Sequence, residues 1–230
     1  MKKAVISGDI VAFTGLSKAN RELVENHLRR LFEALQSVFG GYGRLVKGDY
    51  LEYVPQDPEV ALRMALLIKS RVKSIPVQTD ANNDSRIKYF ENYGIRLAIG
   101  YGALERLDIN KGIIDGEAVY MSGRKINEED THSSDRISIK NTLFFVSKDE
   151  ALNTNMEALF GLIDLLMNKA TSKQCSVLYY KLLGWNEAAI SKKLEISQPV
   201  VNQHSTSAGW NAIEKAVQYF EGILKPQNTA

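Results

Sequence analysis

The sequence predicts an α+β fold in its first two thirds, followed by an all-α segment. Three observations predict it. Short β-prone runs alternate with amphipathic helical stretches up to about residue 150, strand signals then cease, and two Gly/Asp-type turns punctuate the first part. With 230 residues the chain is long enough for one or two domains and a buried core. The expected division is residues 1–152 and 153–230.

The first strand spans Lys3 to Gly8, with Ala4, Val5 and Ile6 buried and Asp9 at its end. Ser17 is placed to cap a helix whose Val24, Leu28, Leu31, Leu35 and Val38 recur at steps of four and three, ended by Gly40-Gly41. Arg44–Lys47 and Tyr50–Val54 flank Gly48-Asp49, a hairpin signal. Asp57-Pro58 opens a second helix with Val60, Met64 and Ile68 on one face, and residues 76–88 read as a polar loop. Ile95–Ile99 is a strand, Gly116 to Glu128 a helix, and Arg136 to Ser147 one or two closing strands. The order β-α-β-β-α-β-α-β implies a mostly antiparallel sheet with helices on one face. Met156–Met167, Thr171–Leu183 (closed by Gly184), Asn186–Leu194 and a long helix from Ser197 complete the chain.

Composition narrows the function classes. A single cysteine, Cys175, excludes a disulfide scaffold and a Cys-rich metal module and fits a reducing compartment. Asp9 interrupts the only apolar start, and no later run reaches the ~18 apolar residues of a membrane span, so a cytoplasmic protein without membrane contact is expected. Net charge is +2, and the two parts carry 22 Lys/Arg against 21 Asp/Glu and 7 against 6, or +1 each. Neither has the excess positive charge that drives phosphate-backbone binding, so any DNA contact rests on local geometry.

Asp9 at a strand end and Asp49 in a hairpin turn are candidate metal ligands. If the first strand and the hairpin are neighbours, both carboxylates share a cleft, and such oxygens suit Mg²⁺. Ile10–Thr14 leads into a helix whose free N–H groups suit phosphate. The alternative is that each aspartate merely occupies a turn. His27, His132 and His204 are scattered without metal-ligand spacing.

Gly8-Asp9-Ile10-Val-Ala-Phe13-Thr14 resembles the first metal motif of class III nucleotidyl (adenylate/guanylate) cyclases. Lys47-Gly48-Asp49 with Tyr53, and then Asp57–Ala61, is similar to their second motif; Arg96–Gly102 is similar to their central strand, and Gly116–Arg124 to the helix bearing their transition-state Asn and Arg. The resemblance implies a ferredoxin-like, palm-type nucleotide cyclase fold with a βααββαβ core. It also implies a two-ion Mg²⁺ or Mn²⁺ site on Asp9, Asp49 and the Ile10 carbonyl, a nucleoside triphosphate as partner, and a homodimer. Arg124 and Tyr120 take the catalytic positions, and Phe13, Thr14, Leu45 and Ile113 the nucleotide-binding ones. Tyr120 replaces the ribose-placing Asn, Leu45 the Lys of adenine-selective members, and Ile113 lies near their purine-reading Asp. Arg124 has an alternative partner in Glu128 at i,i+4.

Ile190 to His204 looks like a helix-turn-helix, with Ile190, Leu194, Ile196 and Val201 packed between its helices, Ser197 as cap and Pro199 in the first turn. Ser197, Gln198, Asn202 and Gln203 are candidate DNA contacts, with Lys192 and Lys193 toward phosphates. A helical bundle that contacts only protein is the alternative, since Ser197 to Ile213 holds no Lys or Arg. Trp210, Ile213, Val217, Phe220 and Leu224 form a stripe that is either core or a dimer seam. The whole arrangement resembles SatD-like bacterial proteins. The leading expectation is a transcription regulator coupling a magnesium- and nucleotide-binding domain to DNA. The alternatives are an active cyclase and a degenerate domain used only for dimerisation.

Overall fold

The structure is a computed structural model that describes residues 2–77, 86–128, 132–133, 136–137, 139 and 141–225. Strand β1 (Lys2–Ile10) leads through a 3-10 turn (Phe13–Gly15) into α1 (Lys18–Phe39), which Ser17 caps by accepting from the Asn20 N–H. The hairpin β2 (Tyr42–Lys47) and β3 (Tyr50–Val54) turns at Gly48-Asp49 as the sequence predicts. There follow α2 (Ala61–Lys73), α3 (Ile87–Tyr93) and β4 (Ile95–Ala103). A small hairpin of β5 (Arg106–Asp108) and β6 (Ile113–Asp115), α4 (Glu117–Glu128), the short β7 (His132–Ser133) and β8 (Arg136–Ile137), and β9 (Leu143–Ser147) complete the mixed part. Helices α5 (Glu150–Lys169), α6 (Ser172–Leu182), α7 (Glu187–Leu194), α8 (Gln198–Ser207) and α9 (Trp210–Leu224) close the chain.

The main sheet has the order β2-β3-β1-β4-β9, antiparallel throughout except for the parallel pair β4–β9. Alternation along β1 sends Ala4, Ile6 and Ile10 to the large core and Val5 and Ser7 to the opposite face. The expectation of helices on one face is corrected here. Helices α1, α2, α5 and α9 join the large core, whereas α4 covers the other face with Ala118 and Val119 against Val5 and Val54. The cause lies in β1 and β4, which carry small or apolar residues on both faces, as a doubly covered strand requires. Gly100 allows the approach: a Cβ there would lie 2.0 Å from the Ala118 carbonyl oxygen.

Helix α2 is buried on nearly all sides, because the sheet and α6 both pack against it. It therefore carries two buried lysines. Lys69 Nζ donates to the carbonyls of Tyr93 and Ile95 and to Thr142 Oγ1, and lies 3.8 Å from Asp164 Oδ1. Burial lowers its pKa to about 8, against the opposing pull of Asp164. Lys73 donates to the carbonyls of Asn92, Met167 and Asn168, so both ammonium groups tie α2 to the chain around it.

Several sequence expectations are corrected. Val38 is 64% exposed, since the apolar stripe of α1 continues from Leu35 to Phe39, which packs on the core, and not to Val38. The long helix from Ser197 is two helices, broken at Gly209 with φ +77°. The apolar stripe of α9 is core rather than seam: Ile213, Val217, Phe220 and Leu224 are buried, and Phe220 packs on Phe145 and Phe160. The core runs continuously across residue 153, joining Met156 and Phe160 to the sheet. Of the polar loop, residues 78–85 lie outside the described residues, as do 138 and 140 of the closing strands, while 87–93 are the unforeseen α3. Among the described residues, no helix is long and apolar enough to cross a membrane.

Candidate functional site

The register of β1 with β3 sets Asp9 beside Tyr50, one residue from the hairpin turn. The Ile10 N–H donates to the Asp49 carbonyl at 2.9 Å, which joins the strand end to the turn. Asp9, Ile10 and Asp49 are thus brought together by the ladder. On the other side β4 places Arg96 opposite Asp9, with Nη2 2.6 Å from Oδ2 and side chains 9% and 24% exposed respectively. The sequence reading missed this pair. Its signal was present: a single Arg within the apolar run Ile95–Ile99, which alternation puts on the face of Ala98.

Tyr50 and Glu52 lie on the same face of β3. The Tyr50 pKa is raised, chiefly by burial and further by the charges of Glu52 and Asp9, with a hydrogen bond from Ser7 opposing. Arg44 donates from Nε to Glu52 Oε2 at 2.8 Å. Above them Ser122 of α4 shares a buried 2.7 Å hydrogen bond with Ser7, which fixes α4 over β1.

The Ile10–Thr14 turn is held by Val11 N–H donating to the Gly94 carbonyl and by Ala12 in the left-handed region at φ 55°. Phe13 is buried with the Arg21 guanidinium 5.9 Å from its ring centroid, and Thr14 is exposed. Arg124 is exposed on α4, and among the described residues no ion pair joins it to Glu128. Tyr120 is exposed and donates to Asp115 Oδ1, which raises its pKa. Leu45 packs on the α1 side of the sheet, away from the face of Ser7, and Ile113 is half-buried in β6.

A divalent ion fits the donor set by its chemistry. Two carboxylates and a carbonyl are hard oxygen donors, and Mg²⁺ takes one or two carboxylates and completes its shell with water and phosphate. Among the described residues no three His, Cys, Asp or Glu cluster as a metal cage. Arg96 engages Oδ2 of Asp9, and a carboxylate has lone pairs enough to accept from an Arg and meet a cation.

In the C-terminal part, α7 and α8 are joined by Glu195–Ser197, with Glu195 left-handed at φ 55°. Ile190 and Val201 are buried against Val177 of α6, with Leu194 and Ile196 half-buried beside them. Ile196 N–H donates to the Ser191 carbonyl, and Ser191 Oγ to the Ile196 carbonyl. Ser197 occupies the cap position without a side-chain cap hydrogen bond, a correction to its expected bonding. Lys192, Lys193, Ser197, Gln198, Asn202 and Gln203 are all exposed, and Asn202 Nδ2 donates to Glu187 Oε1 at 3.4 Å.

Solved structures similar to this chain include nucleotidyl cyclases. One is a bacterial light-regulated adenylyl cyclase, 19% identical with a TM-score of 0.43, matched over 63% of this chain and 43% of its own. Another is the dimeric guanylyl cyclase domain of a RhoGC fusion protein from the aquatic fungus Blastocladiella emersonii, 22% identical with a TM-score of 0.37, over 54% of this chain and 71% of its own. The adenylyl cyclase CyaB from P. aeruginosa is 17% identical with a TM-score of 0.37, over 55% and 71%. The chain spans less than half the length of the light-regulated cyclase. No protein-family model and no curated protein matches it.

Proposed function

We propose that the sheet carries a nucleotidyl cyclase-type site that closes a nucleoside triphosphate to a cyclic nucleotide with Mg²⁺ or Mn²⁺. The observation that carries this reading is Asp9 at its strand end beside Asp49, joined through the Ile10 N–H to the Asp49 carbonyl at 2.9 Å. The order of the motifs along the sequence supports it. Bound divalent ions would offset the triphosphate charge and make a ribose hydroxyl a better nucleophile.

Asp9, Asp49 and the Ile10 carbonyl hold the ions in this reading, and Arg96 keeps the Asp9 carboxylate in one orientation. The Phe13 backbone, its ring buried in the core, and the exposed Thr14 flank the triphosphate. Arg124 meets the charge that develops on the α-phosphate, a role for a fixed cationic donor, from the same molecule or from the second copy of a homodimer. Tyr120, held by Asp115, meets the ribose with a phenol in place of an amide. Leu45 lies on the α1 side, which leaves half-buried Ile113 to meet the base by shape.

The test is incubation of the full chain with each of the four triphosphates and Mn²⁺ or Mg²⁺. The expected result is a cyclic product with at least one base that disappears in Asp49→Asn. No product with any base under either metal overturns the reading.

A second reading, regulation of transcription, draws on α7 and α8. Their short turn, buried Ile190–Val201 contact and exposed Lys192, Lys193, Gln198 and Gln203 suit a DNA-binding helix-turn-helix. Retardation of duplex DNA at low salt that is lost in Lys192→Ala/Lys193→Ala supports it, and no retardation sinks it.

A further inference from the structure

A cleft of about 560 Å³ opens at the start of β4, between Asn92-Tyr93, Asn141 and the α5 residues Gly161 and Asn168. That volume lies within the ~300–1,000 Å³ of small-molecule sites. Its floor is built and rigid. Asp164, 2% exposed, accepts from the Thr142 N–H at 2.6 Å, and the Thr142 hydroxyl accepts from buried Lys69 at 2.6 Å. That hydroxyl also lies beside Asp164 Oδ1 and 3.0 Å from Asn168 Oδ1, so Asn168 is packed against the floor. The Asn92 backbone is fixed by Lys73, whose Nζ donates to its carbonyl at 2.6 Å.

Gly161 supplies an independent observation. It sits mid-way along the 20-residue α5, where glycine costs ~1 kcal/mol relative to alanine. A Cβ added there would meet nothing within 4 Å, so packing does not require glycine, and its effect is to keep the cleft wide.

We propose that this cleft binds a nucleoside 5′-monophosphate through its base. The carboxamides of Asn92 and Asn141 each pair a donor with an acceptor, the complement of the lactam and amidine edges of nucleobases, and Asn168, engaged at one end by Thr142, adds a further polar group. Tyr93 and Leu165 provide an aromatic and an aliphatic wall for the planar ring, and the exposed Lys169 at the rim pairs with the phosphate. Donors that recognise both edges and charge would give the site a preference among bases.

The experiment is calorimetric titration of the full chain with the four nucleoside 5′-monophosphates, without divalent metal. One of them binds with Kd below about 1 mM. Gly161→Phe, which fills the cleft, weakens it about tenfold or more, Asn141→Ala weakens it several-fold, and Asp49→Asn leaves it unchanged. Asn141→Ala, at an exposed position, provides the readout if Gly161→Phe does not fold. Absence of binding by all four, binding indifferent to both cleft variants, or binding lost in Asp49→Asn overturns the proposal. The last outcome would place the nucleotide at the aspartates, and the cyclase reading stands or falls separately on product formation.

Discussion

Arg96 Nη2 lies 2.6 Å from Asp9 Oδ2 across the β1–β4 ladder, on the face of the sheet that α4 covers. Removing one partner of a largely buried pair deprives the other charge of a short ionic hydrogen bond, which costs more than the pair contributes. Asp9→Ala is therefore expected to lower unfolding free energy by about 2 kcal/mol, reduced from the fully buried figure by the partial exposure of Asp9. Asp49→Asn, in a half-exposed turn, should change it by less than about 0.5 kcal/mol. Urea denaturation of both variants checks this. It also shows that Asp49 is the cleaner probe of the proposed chemistry.

Gly100 is where α4 rests on β4. Its missing Cβ would sit 2.0 Å from a backbone oxygen, which cannot rotate away as a side chain would. Gly100→Ala should cost about 2–3 kcal/mol, with a fall in melting temperature of the order of 5 °C. A melt like that of the parent protein would show that α4 does not pack this closely.

His27 Nδ1 accepts from Arg71 Nη2 at 2.8 Å, and Arg71 in turn lies over the Tyr179 ring, so α1, α2 and α6 meet at one guanidinium. Burial and then the charges of Arg71 and Arg30 hold the His27 pKa below 6.5. The unfolded chain thus takes up the proton more readily, and stability falls as pH drops through the unfolded value of 6.5 toward the lowered folded one. His27→Gln should flatten that acid limb in stability measurements between about pH 7 and pH 5. An unchanged slope contradicts the assignment.

Lys69 has the opposite pH window. Its pKa is lowered from 10.5 to about 8, so between these values the unfolded chain binds more protons and stability rises with pH. Lys69→Met should abolish this rise, measured as the difference between parent and variant denaturation midpoints at pH 8 and pH 10. The variant leaves Asp164 without its cation, so it should also lose about 3 kcal/mol near neutral pH.

Local patterns by themselves determined much of this protein. The steps of α1, the Gly48-Asp49 hairpin, the caps at Ser17, Thr171 and Asn186, and the apolar set Ile190, Leu194, Ile196 and Val201 follow from periodicity and turn chemistry that act over a few residues. The candidate ligands Asp9 and Asp49 were legible for the same reason, each next to a turn. Tertiary structure decided what those residues meet. Strand register set Arg96 against Asp9, and Gly100 admitted α4 to the second face. Burial of α2 between sheet and α6 turned Lys69, ordinary in sequence, into a buried partner of Thr142 and of Asp164, which lines a cleft. Such partners are separated by up to 95 residues, as for Lys69 and Asp164, and no local pattern encodes which of several apolar faces will cover which.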